Sequence, residues 1–156
     1  MKPSNIMLTR NDRAKLFDFG ASLDLNNVDP SSLDGVYGTL GYISPEQATA
    51  DPNIDGRADI YGLGVILYRS VTGRKPFYGT RNEVLKAHVE EPPAPPTKFV
   101  RISPDLESII LKSIAKAPEE RFQTGREMSE ALRNVAPLPP PEPIARRARR
   151  WLGFDS

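Results

Sequence analysis

Apolar residues open the chain in two short runs, Ile6 to Leu8 and Ala14 to Phe17. The polar tract Thr9-Arg10-Asn11-Asp12-Arg13 separates them, a pattern that predicts a β-hairpin. From Ala21 to Val36 the chain turns polar, with Asn26-Asn27 and Asp29-Pro30-Ser31-Ser32, and reads as a long loop. Gly56 to Thr72 reads as a helix ending at Gly73. Ile60, Leu63, Leu67 and Val71 follow the helical period, while Val65, Ile66 and Tyr68 fill the other faces. A helix apolar all round belongs in the middle of a core. Thr80 with Glu83 forms a capping box that opens a helix to about Val89. Pro92, Pro93, Pro95 and Pro96 make the next stretch extended. Ser103-Pro104 starts another helix, with Ser as N-cap and Pro at the first helical position. Leu106, Ile109, Ile110 and Ile114 form its buried stripe. Thr124 with Glu127 is a second capping box, followed by a helix lined by Met128, Ala131, Leu132 and Val135.

After Ala136 the pattern ends. Pro137-Leu138-Pro139-Pro140-Pro141-Glu142-Pro143 predicts a stiff linker, and Arg146, Arg147, Arg149 and Arg150 follow with Trp151 and Phe154. The expected division is therefore a domain over 1–136 and a disordered tail over 137–156. No repeat is visible.

Composition narrows the chemistry. The 156 residues carry 21 Lys and Arg against 20 Asp and Glu, so no global charge draws the chain to nucleic acid. There is no Cys, which excludes disulfides, thiolate metal sites and a Cys nucleophile. The single His, His88, excludes a multi-His metal centre; it reads as a helix-face residue, since nothing in the sequence pairs with it. No apolar run reaches the ~20 residues of a membrane span. The opening residues lack the apolar core of a signal peptide. A cytoplasmic location is the expectation.

The informative strings are KLFDFG, Lys15 to Gly20, and GTLGYISPEQ, Gly38 to Gln47. The first places Asp18 on a tight turn after an apolar strand, a position suited to a metal ion. With MKPSNIML at the start, DIYGLGV from Asp59 to Val65, and KAPEERF from Lys116 to Phe122, they resemble the landmarks of protein kinases in order and spacing. Lys2, Pro3 and Asn5 match the K-P-x-N half of the kinase catalytic loop. Asp18-Phe19-Gly20 matches DFG, and Ser44-Pro45-Glu46 matches APE. Each match is weak alone, and Asp18 and Lys2 are equally a turn aspartate and a solvated lysine. Five in order are specific. The resemblance is to bacterial-type serine/threonine kinases, and it implies a mainly α fold with a small β-hairpin: the large, C-terminal kinase lobe without the N-lobe.

The resemblance also implies roles. Phosphoryl transfer depends on positioning and charge neutralisation. Asn5 and Asp18 are implied as oxygen ligands of Mg²⁺ on ATP, a metal that prefers hard oxygen donors. Lys2 is implied to place positive charge near the transferring phosphate, and Thr39 to orient the acceptor hydroxyl. Lys2 and Thr39 together resemble serine/threonine rather than tyrosine kinases. Glu46 and Arg121 are implied as a buried ion pair, and Asp59 as a brace for the catalytic loop backbone. Ser31 and Ser32, like Ser22 and Tyr37, lie in the activation segment, where a phosphate orders a loop by pairing with Arg.

Other kinase parts are missing from these residues: the glycine-rich loop, the strand Lys with its helix Glu, and the catalytic Asp before Met1. The expectation is a C-lobe fragment that binds ATP weakly and is inactive alone. Its partners are then protein substrates or a partner kinase domain, with weak contact of the Arg-rich tail with anionic membrane. A non-catalytic binding module or partner trap is the alternative. Met1 stands where related kinases usually carry Val, Leu or Ile, which points to an internal start, a split gene or a misread frame. With the preceding helix absent, apolar surface on the Gly56–Thr72 helix is expected to face water.

Overall fold

The computed structural model describes residues 1–11, 13–17 and 40–136. Asp18, Thr39, Ser22, Ser31, Ser32, Tyr37 and the tail over 137–156 lie outside the described residues.

The polar tract folds back the opening runs as expected. Strands β1 (Ile6–Leu8) and β2 (Ala14–Leu16) pair antiparallel, with Ile6 opposite Leu16, Met7 opposite Lys15 and Leu8 opposite Ala14. Five α-helices follow among the described residues: α1 (Pro45–Ala48), α2 (Arg57–Thr72), α3 (Arg81–Glu90), α4 (Pro104–Ser113) and α5 (Gly125–Arg133). The described residues are thus mainly helical with one hairpin.

Helix α2 is central because it is apolar on every side. Ile60, Tyr61, Val65 and Tyr68 are buried along it. Tyr61, Val65 and Tyr68 join Tyr42, Ile110 and Ile114 in one core cluster. Ile60 joins Ile109, Phe122 and Met128 in a second. The helix stops at Gly73, whose φ of 72° is left-handed backbone that glycine enters without penalty.

Caps behave as the sequence indicates, with one exception. Thr80 and Glu83 close a capping box on α3, and Ser103 Oγ accepts from the Leu106 N–H at the start of α4. At α5, Thr124 Oγ accepts from the Glu127 N–H, but the expected return bond is not to the N-cap. Glu127 instead accepts from the Gln123 N–H at 2.8 Å and from Lys112 at 3.1 Å. Its carboxylate bridges α5 to α4 as well as capping the preceding turn.

Helices α2 and α4 pack closely because Gly64 has no side chain. A Cβ there would lie 2.6 Å from the Ser113 Cβ and 2.7 Å from the Ile114 Cγ2. We expect Gly64→Ala to destabilise the fold by about 1–2 kcal/mol: overpacking of this kind costs ~1–3 kcal/mol, and the helix propensity of Ala returns at most ~1. A urea midpoint that stays level or rises contradicts this packing.

The expected exposed apolar surface on α2 is not what the fold shows. Leu63, Ile66, Leu67 and Val71 are half-buried, packed on the two core clusters. The large apolar side chains that face water include Met7, Leu16 and Phe17, all on or beside the hairpin. Neighbouring helices cover α2, while β2 is exposed along its length.

Candidate active site

The first residues form the site by local geometry. Lys2 is extended, and Pro3 begins a single 3₁₀ turn over Pro3–Asn5. Proline suits that position because its missing N–H would have no partner there. The Asn5 N–H closes the turn on the Lys2 carbonyl at 3.0 Å. The chain then enters β1, so the hairpin register fixes what faces Asn5. One step beyond the Ile6–Leu16 pair, Phe17 donates its N–H to the Asn5 carbonyl at 2.8 Å. In return the Asn5 side-chain amide donates to the Phe17 carbonyl at 3.3 Å. Asn5 is held against Phe17 by backbone and side chain together. Asp18 is the next residue in the chain.

A second contact ties this segment to the core. The Met1 terminal ammonium lies 3.3 Å from Asp59 Oδ1 on the first turn of α2. The structure therefore brings Asp59 to the segment that carries Lys2 and Asn5. The pair is partly open to water, so its contribution to stability is small.

Glu46 and Arg121, 75 positions apart, meet in a buried, two-pronged pair. Arg121 Nη1 donates to Glu46 Oε1 at 2.7 Å and Nη2 to Oε2 at 2.8 Å. The remaining guanidinium protons donate to the carbonyls of Ala115, Arg57 and Lys116. The Tyr61 ring packs against its face at 4.9 Å. Arg121 is 1% exposed and Glu46 8%. Burial, the largest single influence, would raise the Glu46 pKa, but hydrogen bonds from Arg121, its own backbone N–H and Ser44, with the Arg121 charge, together hold the carboxyl below its ordinary value. The pair joins α1 to the start of α2 and to the turn before α5. Ser44, just ahead of it, caps α1 in a box with Gln47.

His88 is not a surface residue of α3. It is fully buried, with Nδ1 2.8 Å from the Tyr61 hydroxyl and its ring edge on Phe77. Its Nε2 makes no hydrogen bond. Burial and the nearby Lys116 charge push its pKa down to about 4, against a weaker pull from the Gly41 carbonyl. Lys116 donates to the Ala87 and His88 carbonyls at 2.8 and 2.7 Å, satisfying the end of α3. Burial lowers its own pKa to about 8.

No cluster of three or more His, Cys, Asp or Glu that could hold a metal occurs among the described residues. Among them, too, no helix is long and apolar enough to cross a membrane.

The described residues thus combine a hairpin that carries Asn5 with a buried glutamate–arginine clamp. Residues 1–134 match the protein kinase domain, and the chain belongs to that family. The chain matches serine/threonine-protein kinases of bacteria. It is 41% identical over 145 residues to the serine/threonine-protein kinase PknB of Mycobacterium leprae, which covers 91% of this chain and 23% of that protein. It is 40% identical over 139 residues to PknB of Mycolicibacterium smegmatis, covering 86% of this chain and 22% of that protein. The chain therefore spans under a quarter of the length of these relatives. Among solved structures, "PpkA-294 apo form" superposes with a TM-score of 0.65 at 26% identity, over 85% of this chain and 44% of that one. The fold is protein-kinase-like, and its helices with one hairpin are those of a C-terminal lobe.

Proposed function

We propose that these residues form the metal- and substrate-holding lobe of a kinase that moves the γ-phosphate of ATP to Ser or Thr hydroxyls of proteins. The observation that supports this reading is the pair of hydrogen bonds between Asn5 and Phe17, the residue that precedes the DFG aspartate in sequence. An amide oxygen and a carboxylate suit Mg²⁺, which favours hard oxygen ligands and leaves room for phosphates and water. Asn5 and Asp18 would hold it there, and the ion supplies charge neutralisation at the phosphates. Lys2 brings a positive charge to the same segment. Thr39 is assigned to orient the acceptor hydroxyl, and Ser31 and Ser32 to take regulatory phosphate. Asp59 braces the Lys2–Asn5 segment through the Met1 backbone. We take 1–136 as the lobe and 137–156 as a separate tail able to touch anionic lipid weakly. A cytoplasmic setting follows from the need for ATP.

The sequence of the 156 residues contains no match to the glycine-rich loop motif, to the strand-lysine motif or to the His-Arg-Asp half of the catalytic loop. The isolated polypeptide is therefore expected to transfer no phosphate. Labelled ATP and a generic protein substrate test this: no label should enter the substrate. A chimera joining the small lobe and catalytic aspartate of PknB from Mycobacterium leprae to this chain should transfer phosphate. Asp18→Asn in the chimera should reduce transfer by at least about 100-fold, the scale of losing electrostatic stabilisation at a transferring group. A folded, ATP-binding chimera without transfer contradicts the kinase reading. Transfer by the isolated chain contradicts its inactivity and leaves the alternative, a purely binding role, without support.

A further inference from the structure

A small cleft of about 120 Å³ opens between the turn Leu40–Tyr42, the loop after α2 and the first turn of α3. It is too small for a nucleotide or cofactor, whose pockets run to ~300–1,000 Å³. It has room for one side chain. Its floor is apolar: Leu40 and Phe77 are buried and Val84 half-buried. Its rim is cationic, with Lys75 and Arg81 on the wall beside Tyr78.

Lys75 sets the character of the cleft. Its stem lies across Gly41, so closely that a Cβ there would sit 2.9 Å from both Cδ and Nζ. Gly41 thus leaves the space the lysine occupies. The ammonium sits 5.7 Å from the centre of the Tyr42 ring. No carboxylate pairs with it among the described residues. The loop that carries it is pinned, since the Lys75 N–H donates to the Tyr78 hydroxyl at 2.9 Å. A half-buried cation held over an apolar floor, with no carboxylate paired to it among the described residues, is arranged to take an anion.

We infer that this cleft takes an aspartate or glutamate side chain of a docked protein, with Lys75 as its counter-charge. Lys75 is then a specificity-determining residue that biases the chain toward acidic segments. The inference rests on the reading of this lobe as the protein-binding half of a kinase.

The test is an NMR titration of the 156-residue chain with peptides centred on Thr, in which each flanking position is set in turn to Glu, Gln or Lys. At one position the Glu peptide should bind about fivefold more tightly than its Gln counterpart, the worth of a partly exposed ion pair. The Gly41, Lys75 and Phe77 amides should move. The preference should shrink as salt is raised. Lys75→Met keeps the apolar stem against Gly41 and should abolish the preference with little change in melting temperature. Lys75→Glu should reverse it toward the Lys peptide. Equal affinity for Glu and Gln peptides, a preference that survives Lys75→Met, or no binding by any peptide overturns the inference. If the chimera transfers phosphate while the charge preference is absent, this inference alone fails. If the preference stands and the chimera is inert, the kinase reading fails and the cleft assignment remains.

Discussion

Replacing Arg121 with Ala is expected to cost the fold about 3–5 kcal/mol, the usual loss when one partner of a buried ion pair is removed. Typical domain stability is only ~5–15 kcal/mol, so this variant should lie near the edge of folding. The cost follows from what stays behind. The Glu46 carboxylate, 8% exposed in the intact protein, would lose its counter-charge, and the Ala115, Arg57 and Lys116 carbonyls would lose their donor. Glu46→Gln keeps the shape and strands the guanidinium instead, so it should cost a similar amount. The double variant should cost less than the two singles added, because neither charge is then left alone. Arg121→Lys should be nearly as damaging as Ala: one ammonium cannot span two carboxylate oxygens and three carbonyls. Urea unfolding of the four variants checks these statements. Additive losses contradict the pairing.

Acidification should weaken the fold in a defined window. The His88 pKa is lowered by burial first and by Lys116 second, to about 4, from an ordinary 6.5. The unfolded chain therefore takes up a proton as pH falls below ~6.5, whereas the folded chain resists until near 4. The unfolded state binds more protons between these values, so stability is full above 6.5 and declines as pH drops toward 4. The size is about 3 kcal/mol at ~1.4 kcal/mol per pKa unit. Glu46 acts in the same direction at lower pH. Its carboxyl is held below the ordinary value, so its contribution is present above that value and lost as pH falls through the lowered one. Lys116, lowered to about 8, makes stability rise with pH from there toward 10.5. Urea midpoints across this range should show the His88 slope. His88→Phe, which keeps a ring against Phe77, should be less stable at neutral pH yet flat between 6.5 and 4. A slope unchanged in that variant contradicts the assignment.

Local chemistry explains which elements were legible in the sequence. The hairpin was readable because a polar tract separates two apolar runs. Helix α2 showed through its period and its terminal glycine, and α3, α4 and α5 through their caps. Helix α3 runs to Glu90, one residue past the expected end. Helix α1 was missed as a helix, although Ser44 and Gln47 spell a capping box three apart. The Glu127 bond to Gln123 was not legible, because Lys112 on a neighbouring helix competes for the same carboxylate.

Long-range pairing divides the site in the same way. Nothing local in the sequence couples His88 to Tyr61 27 positions away, so the histidine reads only as an unpartnered helix-face residue. Glu46 and Arg121 were paired only by family resemblance, since no periodicity links residues so far apart. A fully apolar α2 was read as leaving one face bare. That surface is instead taken up by packing around both core clusters. The Asn5–Phe17 contact, by contrast, follows from the hairpin register.

The proposed function depends on Asn5 and Asp18 together holding the metal. Manganese, standing in for magnesium, tests it most directly by paramagnetic broadening in the PknB chimera loaded with ATP. The account predicts that the Asn5 side-chain amide resonances broaden selectively, and that Asp18→Asn abolishes the broadening while the fold and the Asn5–Phe17 contact persist. Sharp Asn5 resonances with manganese and ATP bound, or broadening indifferent to Asp18→Asn, would contradict it.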